Sequence, residues 1–456
     1  MKTLKYIIMA LAVGSLLIVS SCKKTFYTDV NNNPNTPPTV VPYVLLSSVE
    51  GALGFTVTST HCFYTSLLTQ QTFGATRQAA AYYQYIFTTQ DFDDPWSNWY
   101  TSVMENDLTL MNLADSRTDS TYGGIARMIM AYALQNVVDA WGSVPYSQAF
   151  QGLGLVNIHP TYDNDAALYG SIEALVDKGL VLLNNANKDP DKPSQHGEDV
   201  IYGGSRSAWI MFGHAIKARL YIHQSKNSAA MATKALTEVA ASFASNADNA
   251  RYPFGTSETA ANGLYLFNEY RADMGFVGGT LSSMMAANTD PRYQSLFDST
   301  YSDFNGVGLG GFYGNPDAVG QFITYEELMF IKAEATLRSG GTYADAQTAF
   351  QAGIDASMQK FGIPAVDETA YMTAHGTLPT TSVAAAVSAV GYEAWLSLYM
   401  NPEAFAQWRC TGAPALSPVA GSNMPRRFMI PQSELTFNTA NAPSTTLYSP
   451  KLFWDN

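Results

Sequence analysis

The sequence predicts a mostly α-helical fold that carries an irregular, loop-rich lobe with few short strands. In several long segments, apolar residues recur at three- and four-residue spacings, which is the pattern of helices with one buried face. Gly, Pro and Asn separate these segments and end the helices. Residues 246–321 differ in composition, because they are rich in Gly, Asn, Asp and aromatic residues and have little periodicity. We expect this long stretch to form the lobe.

The central helical pattern lies in residues 126–150, which read ARMIMAYALQNVVDAWGSVPYSQAF. Asp119-Ser120-Thr121 starts the helix. The pattern continues to Gly142, and Pro145 prevents a return to helix. On residue chemistry alone, the segment is a helix that ends in a tight corner, with Trp141 as a packed aromatic residue.

Several other helical segments come in pairs joined by a short turn. The pairs are 205–223 with 228–243, 325–338 with 343–361, and 96–114 with 120–140. Because their period is irregular, we expect a scaffold of tetratricopeptide-type helical pairs rather than a strict repeat array. Single helices are predicted from about residue 43, after the capping residues 162–164, and over 383–400.

The first 21 residues have the pattern of a lipoprotein signal peptide. Lys2 and Lys5 precede an apolar run of about 14 residues, which is short for a membrane span and suited to a signal sequence. The run ends in Val19-Ser20-Ser21-Cys22, which resembles a bacterial lipobox. We therefore expect lipidation at Cys22, a lipidated tether and Pro- and Asn-rich loop over residues 22–42, and a single domain over 43–456.

The charge composition favours a neutral ligand. Charged residues make up only 14% of the chain, and 25 basic residues stand against 38 acidic ones. The polar surface must then be built largely from uncharged side chains, which suits recognition by hydrogen bonding and aromatic stacking. Nucleic-acid binding is excluded, because it needs clustered Lys and Arg and the sequence has no basic cluster larger than a pair such as Arg426-Arg427.

The sequence contains no motif typical of catalysis, of a cofactor or of a metal site. Gly306-x-Gly308-x-x-Gly311 lacks the flanking strand and helix that a dinucleotide site requires, and the six histidines show no metal-ligand spacing. We interpret Asp93-Asp94 as helix N-terminal charge and Glu326-Glu327 as a solvated helix start. The protein is therefore predicted to be no enzyme and to bind no cofactor or metal. A hydrolase with two distant carboxylates stays open as an alternative.

The cysteines that follow Cys22 leave two interpretations open. Cys62 and Cys410 lie far apart in sequence and could pair in an oxidising compartment. The interpretation we favour is that both are small buried hydrophobic residues.

Aromatic residues in or beside irregular, polar stretches are the candidate ligand-binding residues. Sugar rings present apolar C–H faces, which stack on flat aromatic side chains beside Asn and Asp. For any one of these residues, core packing is the alternative interpretation. The candidates are Trp96, Tyr82, Tyr83, Tyr85, Phe304, Phe312 and Tyr313.

A series of short motifs resembles the SusD/RagB family, outer-membrane nutrient-binding lipoproteins of Bacteroidetes-type bacteria, in its SusD-like, starch-binding-associated branch. The Asp139-x-Trp141-Gly142-x-x-Pro145-Tyr146 corner is similar to the family's D-x-W-G-x-x-P-Y segment. Further matches run in family order along the chain. They are the lipobox at Cys22, Asn33-Pro34-Asn35, the Trp99/Tyr100 helix, Thr324-Tyr325-Glu326 leading to Ile331-Lys332-Ala333-Glu334-Ala335, Glu403-Ala404-Phe405-x-x-Trp408-Arg409, and Pro425 to Asn438.

The resemblance implies a SusD-like fold and a function in nutrient uptake. It implies a lipid-anchored protein of the outer membrane that faces the cell exterior, captures an oligosaccharide or glycan without cleaving it, and delivers it to a SusC-like TonB-dependent barrel. The matched motifs are interpreted as structural, and binding residues vary between members, so none is carried over. Three alternatives stay open: a peptide cargo, a lipid-anchored glycoside hydrolase, and a structural lid with no ligand of its own.

Overall fold

The computed structural model of the protein describes residues 40–151, 157–185, 196–271, 273–298 and 308–455. By its internal contacts the chain divides into Met1–Val41 and Pro42–Asn456, and the fold below is that of the second unit. The predicted signal peptide, Cys22 and Phe304 lie outside the described residues. Expectations that concern them stay predictions.

The described residues form mostly helices. In the first half of the chain these are α1 (Pro42–Val57), α2 (Thr60–Leu68), α3 (Arg77–Tyr83), α4 (Asp93–Ser97), α5 (Glu105–Ser116), α6 (Ser120–Trp141), α7 (Asp165–Asn185), α8 (Arg206–His223) and α9 (Ala229–Ala240). In the second half they are α10 (Gly263–Tyr270), α11 (Thr280–Ala287), α12 (Tyr293–Leu296), α13 (Tyr325–Arg338), α14 (Tyr343–Lys360), α15 (Ala365–His375), α16 (Val383–Ser397), α17 (Glu403–Thr411) and α18 (Gln432–Phe437). The prediction of a mostly helical fold is confirmed.

Helix α6 is the centre of the core. Every residue from Thr121 to Trp141 is buried, so the helix is surrounded by protein on all sides. The side chain of Asp119 accepts a hydrogen bond from the backbone N–H of Tyr122, as expected of an N-cap. Helices α5 and α7 pack on either side of α6, and α8 packs against both α6 and α7.

The predicted helical pairs are present at nearly the predicted bounds. α8 packs against α9 and α13 packs against α14, while α9 also packs on α13 and so joins the two pairs. Between α4 and α5, residues Asn98–Met104 form a π-helical turn, so the predicted 96–114 segment is helical throughout but not of one type. Helix α15 was not predicted from the sequence.

The lobe contains short helices. In the part of the chain that the structure describes, six strands of two to four residues connect the lobe to the scaffold or pair within the lobe. The strands are β1 (Phe73–Gly74), β2 (Ala250–Tyr252), β3 (Met274–Gly275), β4 (Phe297–Asp298), β5 (Gly308–Leu309) and β6 (Gly320–Ile323). They pair antiparallel as β1 with β3, β2 with β6, and β4 with β5. The β1–β3 pair joins the lobe to the segment that leads into α3. This junction requires glycine, because a Cβ on Gly275 would lie 2.1 Å from the ring of Phe73.

The interpretation of Glu326-Glu327 as a solvated helix start is wrong. Both side chains are buried, and each meets a cation from another helix. Glu327 accepts two hydrogen bonds of 2.7 Å from the guanidinium of Arg219, and Glu326 pairs with the ammonium group of Lys360. Sequence periodicity does not reveal these partners, because they lie 108 and 34 residues away.

The cysteines Cys62 and Cys410 are free and buried. Burial raises the pKa of both thiols, which keeps them in the neutral form. Their interpretation as small buried hydrophobic residues is therefore confirmed.

Candidate functional site

The Trp141 corner has a structural role. The indole of Trp141 is fully buried and donates a hydrogen bond of 3.0 Å to the carbonyl of Met429, while the guanidinium of Arg427 donates to the carbonyl of Trp141 itself. Gly142 follows with φ +75° and ψ −123°, a backbone conformation that side chains other than glycine rarely adopt. The motif therefore fixes the end of α6 against the C-terminal segment.

The structure places the candidate aromatic residues in three separate locations. Tyr82, Tyr83 and Tyr85 lie in or just after α3. Trp96 is stacked on Tyr100, with ring centroids 4.5 Å apart, beside a cavity of about 570 Å³. In the third location, the ring of Phe312 packs edge-on against Phe361 with centroids 4.7 Å apart. The six candidates that the structure describes therefore do not form one surface.

Burial separates the candidates further. Trp96, Tyr85 and Tyr313 are buried, with 3–7% of their surface exposed, whereas Tyr82, Tyr83 and Phe312 are half-buried. The hydroxyl of Tyr85 accepts a hydrogen bond of 3.1 Å from the backbone N–H of Val419, so this side chain holds a neighbouring loop. Ligand binding by any of the candidates stays a prediction.

One candidate, Tyr82, lines a cavity of about 330 Å³ between α2, α3 and the lobe. We call it the Tyr82 cavity. Its walls are aromatic, and its rim carries amide, carboxylate and guanidinium groups. The aromatic residues are Phe63, Tyr64, Tyr82 and Phe267, and the polar ones include Gln78, Gln90, Asp91, Asp94, Arg271 and Asp273. Its size and mixed lining are typical of a small-ligand site.

The aromatic walls of the Tyr82 cavity are held rigidly. Tyr82 stacks on Phe87 with ring centroids 4.5 Å apart and planes 9° apart, and Tyr64 meets both rings edge-on at 5.1 Å. A second aromatic wall is formed by Phe63 and Phe267, whose centroids lie 4.1 Å apart. Because these rings pack on one another, the apolar surfaces are in place before any ligand arrives.

The carboxylates of the rim are oriented by hydrogen bonds. Asp91 accepts bonds from the Tyr82 hydroxyl at 2.5 Å and from the backbone N–H of Thr88 at 2.6 Å, the latter as part of a capping box. Burial, together with the bond to Asp91, raises the pKa of Tyr82 to about 12. The phenol is therefore neutral at physiological pH and stays a hydrogen-bond donor.

Asp273 is fixed between two arginines from different segments. Its carboxylate is buried and accepts hydrogen bonds from Arg271 at 2.7 Å and from Arg77 at 3.1 Å. Arg271 also donates to the amide oxygen of Gln78 at 3.2 Å. The backbone of Arg77 has φ +50°, a strained value for a residue with a side chain, and the Asp273 contacts hold it there. Arg271 and Gln78 are thereby positioned at the cavity rim.

Sequence reasoning missed most of this cavity. The sequence does not single out Asp91, and its capping box with Thr88 shows that one of its oxygens caps the start of a short helix. Phe267 and Asp273 lie in the lobe, where the sequence has little periodicity and no motif distinguishes them. Their role follows from the β1–β3 pairing, which brings the lobe against α3.

Within the described part of the chain, Asp139, His223 and Glu403 form the one group of side chains whose spacing would suit a metal ion. The three are already engaged with one another: the imidazole Nε2 of His223 lies 2.7 Å from Glu403, and its Nδ1 lies 3.5 Å from Asp139. Burial lowers the pKa of His223, but the carboxylates of Glu403 and Asp139 outweigh this and raise it to about 10. An imidazolium between two carboxylates explains the cluster without a metal.

The helical pairs, the lobe and the aromatic cavity at their junction define a helical-scaffold protein with a preformed cavity. Its family follows from comparison with known proteins: a SusD-like family model, described as "Starch-binding associating with outer membrane", matches residues 34–431. The chain therefore belongs to the SusD-like family, whose members are outer-membrane-associated binding proteins. No match is found among the curated proteins.

Solved structures of SusD-like proteins share the fold. A chitin-binding SusD homolog from Flavobacterium johnsoniae is similar with a TM-score of 0.76 and 17% identity, over 91% of this chain and 98% of that chain. A SusD/RagB family protein from Bacteroides thetaiotaomicron is similar with a TM-score of 0.73 and 20% identity, over 91% and 99%. A third structure, described as a chitin-binding protein, has a TM-score of 0.76 and 20% identity, over 91% and 100%.

These comparisons confirm the family and the fold that the sequence motifs predicted. None of the helices in the described residues combines the length and apolar character that crossing a membrane requires.

Proposed function

We propose that this protein captures an oligosaccharide in the Tyr82 cavity, without cleaving it, and delivers it to a SusC-like TonB-dependent outer-membrane barrel. In this proposal the protein is anchored by lipid at Cys22 and faces the cell exterior. The observation that carries the ligand class is the composition of the cavity. Two rigid aromatic walls match the apolar faces of a sugar ring, and the polar rim matches its hydroxyls.

The rim groups suit a neutral, hydroxyl-rich ligand. Gln78 and Gln90 offer both donors and acceptors, while Asp94 and Arg271 offer planar charged groups that hydrogen-bond to adjacent hydroxyls. The family description names starch, and two of the similar structures are described as chitin-binding. Malto-oligosaccharides and chito-oligosaccharides are therefore the first ligands to test.

The hydrogen bonding of the carboxylates favours capture over hydrolysis. A glycosidase needs one carboxyl group that gives a proton and a second that acts as base or nucleophile. Asp273 is engaged by two arginines, and Asp91 by Tyr82 and Thr88, so both have positioning roles in the cavity. A peptide cargo is the alternative within the same function, since aromatic walls and Gln side chains also bind peptides.

Binding and cleavage are tested in the same samples. The full-length chain, purified in a polyoxyethylene detergent that contains no sugar, is titrated with each oligosaccharide and with a peptide mixture by calorimetry. Released products are followed by chromatography. We expect binding of one oligosaccharide series with no products. Cleavage of any ligand would overturn the capture proposal, and retention of peptides alone would replace the cargo.

Two variants test whether the oligosaccharide binds in the Tyr82 cavity. Phe267→Ala removes one aromatic wall, and Gln90→Ala removes an exposed rim amide at little cost to packing. We expect each to weaken oligosaccharide binding, F267A by about tenfold or more, which corresponds to about 1.4 kcal/mol. Tyr270→Ala is the matched control, because Tyr270 lies on the same helix as Phe267, is 62% exposed and lies outside the cavity. Unchanged binding in both cavity variants would contradict this location.

The partner is tested by co-purification. The chain is co-expressed with a SusC-like TonB-dependent barrel, and the outer membrane is solubilised in mild detergent. We expect a complex that survives affinity purification through either protein. Separate elution of the two proteins would contradict the delivery step and leave oligosaccharide capture standing.

A further inference from the structure

A second cavity, of about 580 Å³, lies on a different part of the molecule. It is bounded by the turn after α8, by the C-terminal end of α17 and by the C-terminal segment of the chain. We call it the Lys226 cavity. It shares no lining residue with the Tyr82 cavity. Its polar and charged residues include Lys226, Arg409, Asn423, Arg426, Lys451 and Asp455, with Tyr448 beside them.

The Lys226 cavity has an excess of positive charge. Of its cations, Arg426 is neutralised, because its Nε donates to the carboxylate of Asp455 at 2.8 Å and its Nη2 donates to the other oxygen of the same group. Among the described residues, neither Lys226 nor Lys451 has a carboxylate within ion-pair distance, and both side chains are exposed. Two ammonium groups at the cavity are thus available to a ligand.

Arg409 adds a third positive charge beneath the lysines. It is 2% exposed and donates to the backbone carbonyls of Phe405, Arg426 and Asp139 at 2.6–3.0 Å. Carbonyl oxygens satisfy its donors but leave its net charge in place, so the charge contributes to the field in the cavity above it. The excess is notable in a chain whose net charge is −13.

The other residues that line the Lys226 cavity indicate which class of negatively charged ligand it suits. Tyr448 is 37% exposed, so its ring is open to contact, and Asn423 supplies an amide that donates and accepts hydrogen bonds. An aromatic face, an amide and two ammonium groups together suit a sugar ring that bears a carboxylate. We propose that the Lys226 cavity binds an acidic sugar, with its carboxylate between Lys226 and Lys451 and its ring against Tyr448.

The inference is independent of the proposed function, because the two cavities use different residues. The probe is glucuronate, and glucose is its neutral counterpart with the same ring. Binding of each to the full-length chain in polyoxyethylene detergent is measured by ligand-detected NMR titration. We expect glucuronate to bind and to weaken as the salt concentration rises, since charge attraction is screened. We expect glucose to show no binding that depends on the two lysines.

The double variant Lys226→Gln/Lys451→Gln removes both charges and keeps a polar side chain at each position. We expect it to weaken glucuronate binding at least tenfold, while Tyr82 cavity variants such as Phe267→Ala leave glucuronate binding unchanged. Lys332→Gln is the matched control, because Lys332 is exposed on α13 and outside both cavities. Exposed lysines tolerate this substitution, so loss of folding does not confuse the result.

Three results would overturn the inference. The first is the absence of glucuronate binding, and the second is equal binding by the wild type and the double variant. The third is lysine-dependent binding of glucose with the affinity of glucuronate, which would show that charge is not recognised. A competition by inorganic sulfate that displaces glucuronate supports recognition of the negative charge.

Discussion

The imidazole Nε2 of His223 lies 2.7 Å from a carboxylate oxygen of Glu403, and both side chains are buried in the core. The pair joins α8 to α17. On the other side of the ring, Nδ1 lies 2.9 Å from the hydroxyl of Tyr169 and 3.5 Å from the carboxylate of Asp139, which belongs to α6. Arg219 lies beyond Glu403 at 3.3 Å and contributes to the same network. One protonated histidine therefore holds three helices together.

The stability that His223 contributes should decrease as the pH becomes alkaline. Its pKa is about 10 in the folded protein against 6.5 for a free histidine. The stabilisation is therefore fully present below pH 6.5 and is lost as the pH rises through about 10. In urea unfolding, we expect the difference in unfolding free energy between the wild type and His223→Gln to be about 3 kcal/mol at pH 6 and to shrink toward pH 10. A difference that does not change with pH would contradict a charged His223.

Gly142 should be intolerant of a side chain. Its φ of +75° with ψ of −123° is a conformation that residues with a Cβ rarely adopt. The nearest atom to an added Cβ, in the guanidinium of Arg427, lies at an ordinary contact distance of 3.4 Å, so the cost comes from the backbone. We expect Gly142→Ala to lower the unfolding free energy by about 2 kcal/mol. Gly170→Ala is the control, because Gly170 lies in α7 with nothing within 4 Å of its added Cβ. That change should stabilise the protein by up to about 1 kcal/mol.

Asp273 should matter more for ligand affinity than for stability. Asp273→Asn removes the charge that holds Arg271 at the rim of the Tyr82 cavity, although both arginine partners are largely exposed. We expect a loss of about 1 kcal/mol or less in unfolding free energy and a fall of about five- to tenfold in oligosaccharide affinity. Asp177→Asn, which removes an ion pair with Lys217 outside this cavity, should leave the affinity unchanged. Equal affinities of D273N and wild type would contradict a positioning role for Asp273.

Cys22 should decide membrane attachment. We expect Cys22→Ser to abolish incorporation of labelled palmitate and to release the protein from the membrane fraction, because two or three acyl chains give durable anchoring. Cys62→Ala provides the control, since Cys62 is a buried, free thiol, and this variant should be labelled and retained like the wild type. Labelling of the C22S variant would place the lipid elsewhere.

The sequence predicted the helical scaffold well because its signals are local. Asp119 and Gly142 mark the ends of α6, and the observed bounds, Ser120–Trp141, follow from them directly. The pair α13 and α14 lies within one residue of its predicted bounds for the same reason. In each case the apolar spacing, the cap and the terminating residue agree with one another.

The cavities could not be predicted from the sequence, because their residues are brought together by tertiary contacts. Tyr82 is a candidate because of its polar surroundings in the sequence. Tyr83 and Tyr85 meet the same criterion, but neither lines the Tyr82 cavity. Nothing in the pattern around Phe267 distinguishes it from a core residue. Lys226 and Lys451 are isolated in sequence, so no basic cluster in the sequence predicts the cavity that they share.

The aromatic wall formed by Phe63 and Phe267 joins two segments that are synthesised far apart. Arg77 and Asp273, whose ion pair closes the junction between α3 and the lobe, are separated by 196 residues. A chain that has emerged only as far as α9 contains Phe63 and Tyr82 but lacks Phe267 and Asp273, so the cavity is incomplete. Under the proposed function, ligand retention therefore tests whether folding is complete. A molecule whose lobe has not docked does not retain the ligand, even when most of its helices have formed.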